Sequence, residues 1–191
     1  MSAPVRGAPS QPGAGTVWFT GLPAAGKSTV AAALTELLET RQIEPLLLDG
    51  DELREGLNAD LGFSPEDRRE NVRRIGERAV LFSQAGHLCL VTAISPFRAG
   101  RDAARGRHVE RGVGFFEVHV ATPLEVCEAR DPKGLYARAR RGELAAFTGI
   151  SSPYEAPAHP DLALETVGRT PVECAAEVLA ALDGCGLTVR D

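Results

Sequence analysis

The chain predicts an α/β domain, a parallel β-sheet of about five strands with helices on both faces. Two observations carry this. Short apolar runs alternate with amphipathic stretches along the chain, the pattern of a parallel sheet buried on both sides. The first run also leads through Gly21-Leu22-Pro23-Ala24-Ala25-Gly26-Lys27-Ser28-Thr29 into the first amphipathic stretch. That is G-x-x-x-x-G-K-[ST], and strand, glycine loop and helix is the context a phosphate-binding loop needs.

The elements follow in order. Thr16 to Thr20 is apolar and reads as a buried strand; 28–41 reads as a helix with Val30, Leu34, Leu37 and Leu38 on one face. Residues 45–49 form a second apolar run that ends in Asp49-Gly50-Asp51. Ser64-Pro65-Glu66-Asp67 is a helix start, with an N-cap serine, proline at the first position and acids in the first turn. The helix it opens, 65–85, carries Val72, Ile75, Ala79 and Phe82 as its apolar stripe. A third strand over 88–94 stops at Ser95-Pro96. Helix 98–111, strand 115–120, helix 123–129, strand 162–166 and helix 171–183 complete the alternation. Residues 1–15, rich in Ser, Ala, Pro and Gly, read as a disordered leader. Residues 16–191 read as one domain, with 130–147 as a lid and substrate loop.

Composition narrows the function. With 43% hydrophobic and 25% charged residues the chain suits a globular domain. No apolar run approaches the roughly 20 residues of a membrane span. A net charge of −5 provides no general field for nucleic acid. The cysteines, Cys89, Cys127, Cys174 and Cys185, make no C-x-x-C pair, so reduced thiols in a cytoplasmic protein are expected. Of 21 basic residues only Lys27 and Lys133 are lysines, which marks both as sites where a compact point charge is wanted.

In such sheets ligands sit beyond the carboxyl ends of the strands. Three strand ends carry polar chemistry: the phosphate loop, Asp49 with Asp51, and Ser95. Gly21 and Gly26 let backbone N–H groups turn toward phosphate oxygens, and the helix N-terminus adds positive charge. Lys27 would neutralise phosphates and Ser28 would ligate Mg²⁺. Asp49 and Asp51 divide two tasks, one organising Mg²⁺ water and the other accepting a proton from an attacking hydroxyl. The same loop also suits turn chemistry and the capping of a helix over 52–57, and both uses are compatible. Arg68 and Asn71 fall on the inward stripe of helix 65–85. Arg68 either packs its stem while its head snorkels to water or aims into an anion site. The basic stretch Arg130 to Arg141 is either a solvated helix or a lid that closes over phosphates; the lid is the preferred reading. Phe147 is either a core plug or a stacking platform for a base.

Together these stretches resemble the adenylylsulfate kinase (APS kinase) family over about residues 16 to 183. The resemblance rests on Gly21 to Thr29, Asp49-Gly50-Asp51-x-x-Arg54, Leu61-Gly62-Phe63-Ser64 with Arg68 and Asn71, Ile94-Ser95-Pro96-Phe97-Arg98, Arg130-Asp131-Pro132-Lys133-Gly134-Leu135-Tyr136, and Phe147-Thr148-Gly149-Ile150. It implies a P-loop kinase that transfers phosphate from ATP, with Mg²⁺, to the 3′-hydroxyl of adenosine 5′-phosphosulfate (APS). By the same resemblance Gly21 to Thr29 cradle ATP, Ser28 holds the metal with Asp49 acting through water, and Asp51 is the base. Arg54, Arg68 and Asn71 hold the acceptor's phosphosulfate and ribose, Phe63 and Phe147 sandwich its adenine, and Ile94 and Ser95 line its pocket. Lys133 reaches the phosphates from the lid. Arg130 lies against the ATP adenine, with segment 166–174, including Arg169, as the other wall. A cytoplasmic homodimer is implied as well.

Family members are often described with a phosphoserine at the position of Ser95. In-line transfer between two bound substrates needs no such relay, and Ser95 has no adjacent base; it is read as a pocket residue. Two departures stand out, Pro23-Ala24-Ala25 where Ser and Gly are usual and Glu52 where Asn is common. The competing readings are another small-molecule P-loop kinase, acting on a nucleoside, gluconate or shikimate, and a nucleotide-binding regulator without turnover.

Overall fold

The computed structural model describes residues 13–187; the expected leader over 1–12 lies outside the described residues. Five strands form one parallel sheet: β1 (Gly15–Thr20), β2 (Leu46–Asp49), β3 (Leu88–Thr92), β4 (Gly114–Val120) and β5 (Leu162–Leu164), in the order β2-β3-β1-β4-β5. Among the described residues seven helices accompany them: α1 (Lys27–Glu39), α2 (Gly50–Glu55), α3 (Pro65–Gln84), α4 (Arg98–Glu110), α5 (Leu124–Arg130), α6 (Leu135–Arg140) and α7 (Pro171–Cys185).

The period-2 alternation of β1 splits the core into two layers. Val17 and Phe19 pack with Leu34 and Leu38 of α1 and Val178 and Leu182 of α7. Trp18 points the other way, to Val72, Ile75 and Ala79 of α3 and Ala104 of α4. Connections from β1 run to β2 on one side of the sheet and from β3 to β4 on the other, so the order reverses beside β1. The loop after β1 therefore opens at a topological switch point, where the crevice of a doubly wound sheet lies.

Two expected boundaries shift. The sheet begins at Gly15, inside the expected leader, and Ala14 is buried. A Cβ at residue 15 would lie 2.7 Å from Leu187 Cδ2 and 3.1 Å from the Gly114 carbonyl oxygen, so a side chain there would be crowded against β4 and the end of the described chain. Ala93 and Ile94 fall outside β3, which ends at Thr92. The stretch expected as a lid contains α6, anchored by Tyr136, which is 2% exposed and donates its hydroxyl to the Pro23 carbonyl at 3.0 Å.

Candidate active site

The C-terminal ends of β1, β2 and β3 open on a cleft of about 1170 Å³. One wall is the phosphate loop with the start of α1. In the loop, Lys27 Nζ donates to the carbonyls of Gly21 (3.0 Å) and Leu22 (2.8 Å). Burial pushes its pKa down to about 8, against the pull of Asp51 and Asp49. Pro23, Ala24, Gly26, Lys27, Ser28 and Thr29 line the cleft, whereas Gly21, Leu22 and Ala25 do not. Gly21 packs against the Val120 carbonyl, 2.7 Å from where a Cβ would be. Ala25 belongs to the core, and Leu22 borders a smaller hollow with Leu124 and Gly149. The Pro-Ala-Ala departure has a conformational cost: Ala24 sits at φ 58°, where glycine is at ease and a Cβ is not.

Asp49, at the end of β2, uses its two oxygens differently. Its Oδ1 caps α2, accepting from the N–H groups of Asp51 (2.8 Å) and Glu52 (3.4 Å). Its Oδ2 accepts from the hydroxyls of Ser28 (2.7 Å) and Thr92 (2.6 Å). Burial opposes ionisation, but these hydrogen bonds outweigh it and hold the carboxyl below the usual carboxylate range. The cap places Asp51 on the first turn of α2, facing the cleft. From the opposite side Lys133 Nζ reaches Asp51 Oδ2 at 2.8 Å. The pair is solvent-exposed, and the hydrogen bond that Lys133 donates to Asp51 raises the Lys133 pKa.

Arginines and aromatics form the far wall. Arg54 Nη1 donates to the Gly62 carbonyl (2.8 Å), and its guanidinium lies 4.8 Å from the Phe63 ring centre. Phe63 itself is 61% exposed, a large apolar ring left open to the cleft. Arg68 does not snorkel. It is buried, with Nε on the Phe63 carbonyl (3.0 Å), Nη1 on Thr148 Oγ1 (2.8 Å) and Nη2 on the Ala146 carbonyl. It borders the cleft while stitching α3 to the loop that carries Phe147. Phe147 packs edge-on to Tyr136, with ring centres 5.0 Å apart, and also lines the cleft. Asn71 and Ile94 line the cleft as well.

At the other end Arg130 donates to the Ala25 carbonyl (3.1 Å), and Arg169, Pro171, Cys174 and Thr166 face the same space. The remaining arginines of the basic stretch turn away from the cleft. Arg138 and Arg141 pair with Glu143, and Arg140 pairs with Glu128.

Ser95 requires a correction. It was expected to line the pocket, yet it is 2% exposed and absent from the cleft wall. Its Oγ accepts from Trp18 Nε1 (3.1 Å) and donates to Thr20 Oγ1 (2.9 Å). A φ of 42° at Ser95 turns the chain so that the side chain enters the core while Ile94 faces the cleft.

Thr92 was missed. It becomes a partner of Asp49 only because β2 and β3 pair in the register Asp49↔Thr92, and sequence carries no sign of register between strands so far apart. Among the described residues no group of three or more His, Cys, Asp or Glu is placed to hold a metal ion, and no helix is long and apolar enough to cross a membrane.

The comparisons with known proteins agree with this arrangement. The family model for adenylylsulphate kinase matches residues 13–165. The chain belongs to the adenylylsulphate kinase family. It is 53% identical over 160 residues to the adenylyl-sulfate kinase of Saccharomyces cerevisiae, covering 84% of this chain and 79% of that one. It is 59% identical over 150 residues to the adenylyl-sulfate kinase of Shewanella amazonensis, covering 78% and 75%. The Mycobacterium tuberculosis APS kinase CysC, solved in complex with AMPPNP and APS, superposes with a TM-score of 0.87 at 53% identity. That match covers 91% of this chain and 99% of CysC. As a family member the chain is read as a kinase on a P-loop fold.

Proposed function

We propose that this kinase transfers the γ-phosphoryl group of ATP to the 3′-hydroxyl of adenosine 5′-phosphosulfate, giving ADP and 3′-phosphoadenosine 5′-phosphosulfate. The observation that carries the reading is the position of Asp51. It stands between the Lys27–Ser28–Asp49 wall and the Arg54–Phe63–Arg68–Asn71–Phe147 wall, with Lys133 reaching it across the cleft. An open ring, two guanidinium groups and an amide suit an anionic adenine nucleotide, since aromatic faces stack on any base and arginine recognises phosphate and sulfate.

Donor and acceptor would enter from opposite ends. Arg130 and the 166–174 segment wall the donor's base. The loop N–H groups and Lys27 cradle its phosphates, with Pro23 supplying no N–H. Lys27 exchanges its two loop carbonyls for phosphate oxygens. Asp51 accepts the 3′-hydroxyl proton as that oxygen attacks in line. Lys133, released from Asp51 by the incoming substrates, lies against the transferring group. Ser28 Oγ, Thr92 Oγ1 and Asp49 Oδ2 form an all-oxygen donor set that fits a hard cation such as Mg²⁺, with Ser28 as direct ligand and Asp49 acting through water. Bound there, Mg²⁺ would neutralise charge on the phosphate oxygens. A cytoplasmic homodimer belongs to the same reading.

The test is ADP release from ATP and Mg²⁺ with APS, run beside adenosine, AMP, gluconate and shikimate. APS-dependent release that vanishes in a folded Asp51→Ala variant is expected. Release with another acceptor and none with APS would show a repurposed pocket, and ATP binding without release for any acceptor would show a regulator.

A further inference from the structure

Asn58 is fully buried in the turn between α2 and α3, and its side-chain Oδ1 is the one buried side-chain polar atom without a hydrogen-bond partner among the described residues. Its Nδ2 donates to Asn71 Oδ1 at 3.0 Å. Its backbone joins the flanking segments: its N–H donates to the Leu53 carbonyl (2.8 Å), and its carbonyl accepts from Leu61 (3.1 Å). One residue thus touches the helix carrying Asp51 and Arg54, the segment leading to Phe63, and the helix carrying Asn71.

The unpartnered oxygen defines the orientation of both amides. Were the Asn58 amide reversed, its NH₂ would occupy the unpartnered position and both of its N–H donors would be orphaned, where now one acceptor and one N–H are. Buried orphan donors are the rarer and costlier defect. Asn58 therefore donates, and Asn71 must turn its oxygen inward to accept. The Asn71 NH₂ is then left facing the cleft that Asn71 lines, with no protein acceptor and not buried from solvent. An outward NH₂ offers two donors and no acceptor, the polarity an anionic acceptor substrate requires.

We propose that Asn58 is a positioning residue that locks the Asn71 amide with its NH₂ toward the acceptor substrate, at the expense of leaving its own oxygen unpaired. Its effect on turnover rests on the APS reading above, but its orientation of Asn71 does not. In a purely structural role, removing Asn58 would harm stability and both substrates alike. Here the two separate. Asn58→Leu has similar volume and deletes both the donor and the orphaned acceptor, and the freed Asn71 oxygen can turn to water in the cleft. Stability should hold or rise while Asn71 loses its fixed orientation.

The experiment pairs kinetics with side-chain amide exchange. In Asn58→Leu the KM for APS is expected to rise about three- to tenfold, as for one hydrogen bond losing its preorganisation. The KM for ATP should stay within about twofold and the melting temperature should not fall. Asn58→Asp can only accept, so it draws the Asn71 NH₂ inward and leaves an oxygen facing the substrate anion; its APS KM is expected to rise further, beyond about tenfold. In ¹⁵N-labelled wild-type protein without ligand, the Asn58 NH₂ protons should be protected from exchange and those of Asn71 should exchange freely. An unchanged APS KM in Asn58→Leu, or KM values for both substrates rising together with a lower melting temperature, would overturn the proposal. Exchange as fast at Asn58 as at Asn71 would do the same. If wild-type protein shows no turnover with APS, the functional reading falls, and the exchange pattern alone still decides the orientation.

Discussion

Ser95→Ala separates a structural serine from a covalent relay. Ser95 Oγ is the acceptor for Trp18 Nε1 at 3.1 Å and donates to Thr20 Oγ1 at 2.9 Å, and both Trp18 and Thr20 are fully buried. Thr20 keeps the Ile94 carbonyl (2.8 Å) and the Tyr154 hydroxyl (3.0 Å) after the change, so its share of the loss is small. Trp18 loses its acceptor and is left with an unsatisfied buried donor, which costs about 1–3 kcal/mol. For a domain of this size each kcal/mol lowers the melting temperature by about 2–4 °C, so a fall of roughly 2–12 °C is expected. Trp18 is the chain's one tryptophan, so its fluorescence follows unfolding in urea and reports the altered environment in the native state. Turnover with APS, corrected for folded protein, should remain above about a tenth of wild type, because in-line transfer needs no group at this position. Unchanged stability together with abolished turnover, and a phosphorylated Ser95 trapped in the wild type, would refute the reasoning.

Three further outcomes are expected. With Lys27 held near pKa 8, about half the free protein carries it neutral at pH 8. ATP binding should take up about half a proton there and almost none at pH 6.5, read by calorimetry in buffers of different ionisation enthalpy. His108 is fully buried, and burial depresses its pKa to about 4, below the usual 6.5. Its neutral form contributes stability that is complete above pH 6.5 and lost as pH falls through 4, about 3 kcal/mol in all; His108→Phe should flatten that part of the urea-stability profile. Arg101 and Glu117 pair at 2.9 Å with almost no exposure, so Arg101→Ala should cost about 3–5 kcal/mol. Arg140→Ala, at the exposed pair with Glu128, should cost less than about 1 kcal/mol in the same assay.

Much of the molecule was legible in the chain because its signals are local. The alternation of apolar runs and helical stripes gave the five strands and the principal helices, since burial on both faces demands continuous apolar strands. The phosphate loop was legible because its backbone curvature and its charge come from adjacent residues. Asp49 and Asp51 were legible because one strand end and one helix start contain both. The inward stripe placed Arg68 and Asn71 at the cleft, through the fixed 100° step of a helix.

What the tertiary structure decided depends on register and on the direction of individual side chains. Thr92 joins Asp49 through strand pairing across 43 residues. Ser95 leaves the pocket for the core because of one positive φ. The basic stretch divides between Lys133 at Asp51 and arginines paired with Glu128 and Glu143, because Tyr136 pins α6 and thereby sets which face meets the cleft. Asn58 becomes the partner of Asn71 only when the turn before α3 folds back on that helix. Composition and periodicity state which residues are buried and on which face. Which polar atom meets which is decided only when distant segments close on one another, since a hydrogen bond is made or lost within a few tenths of an ångström.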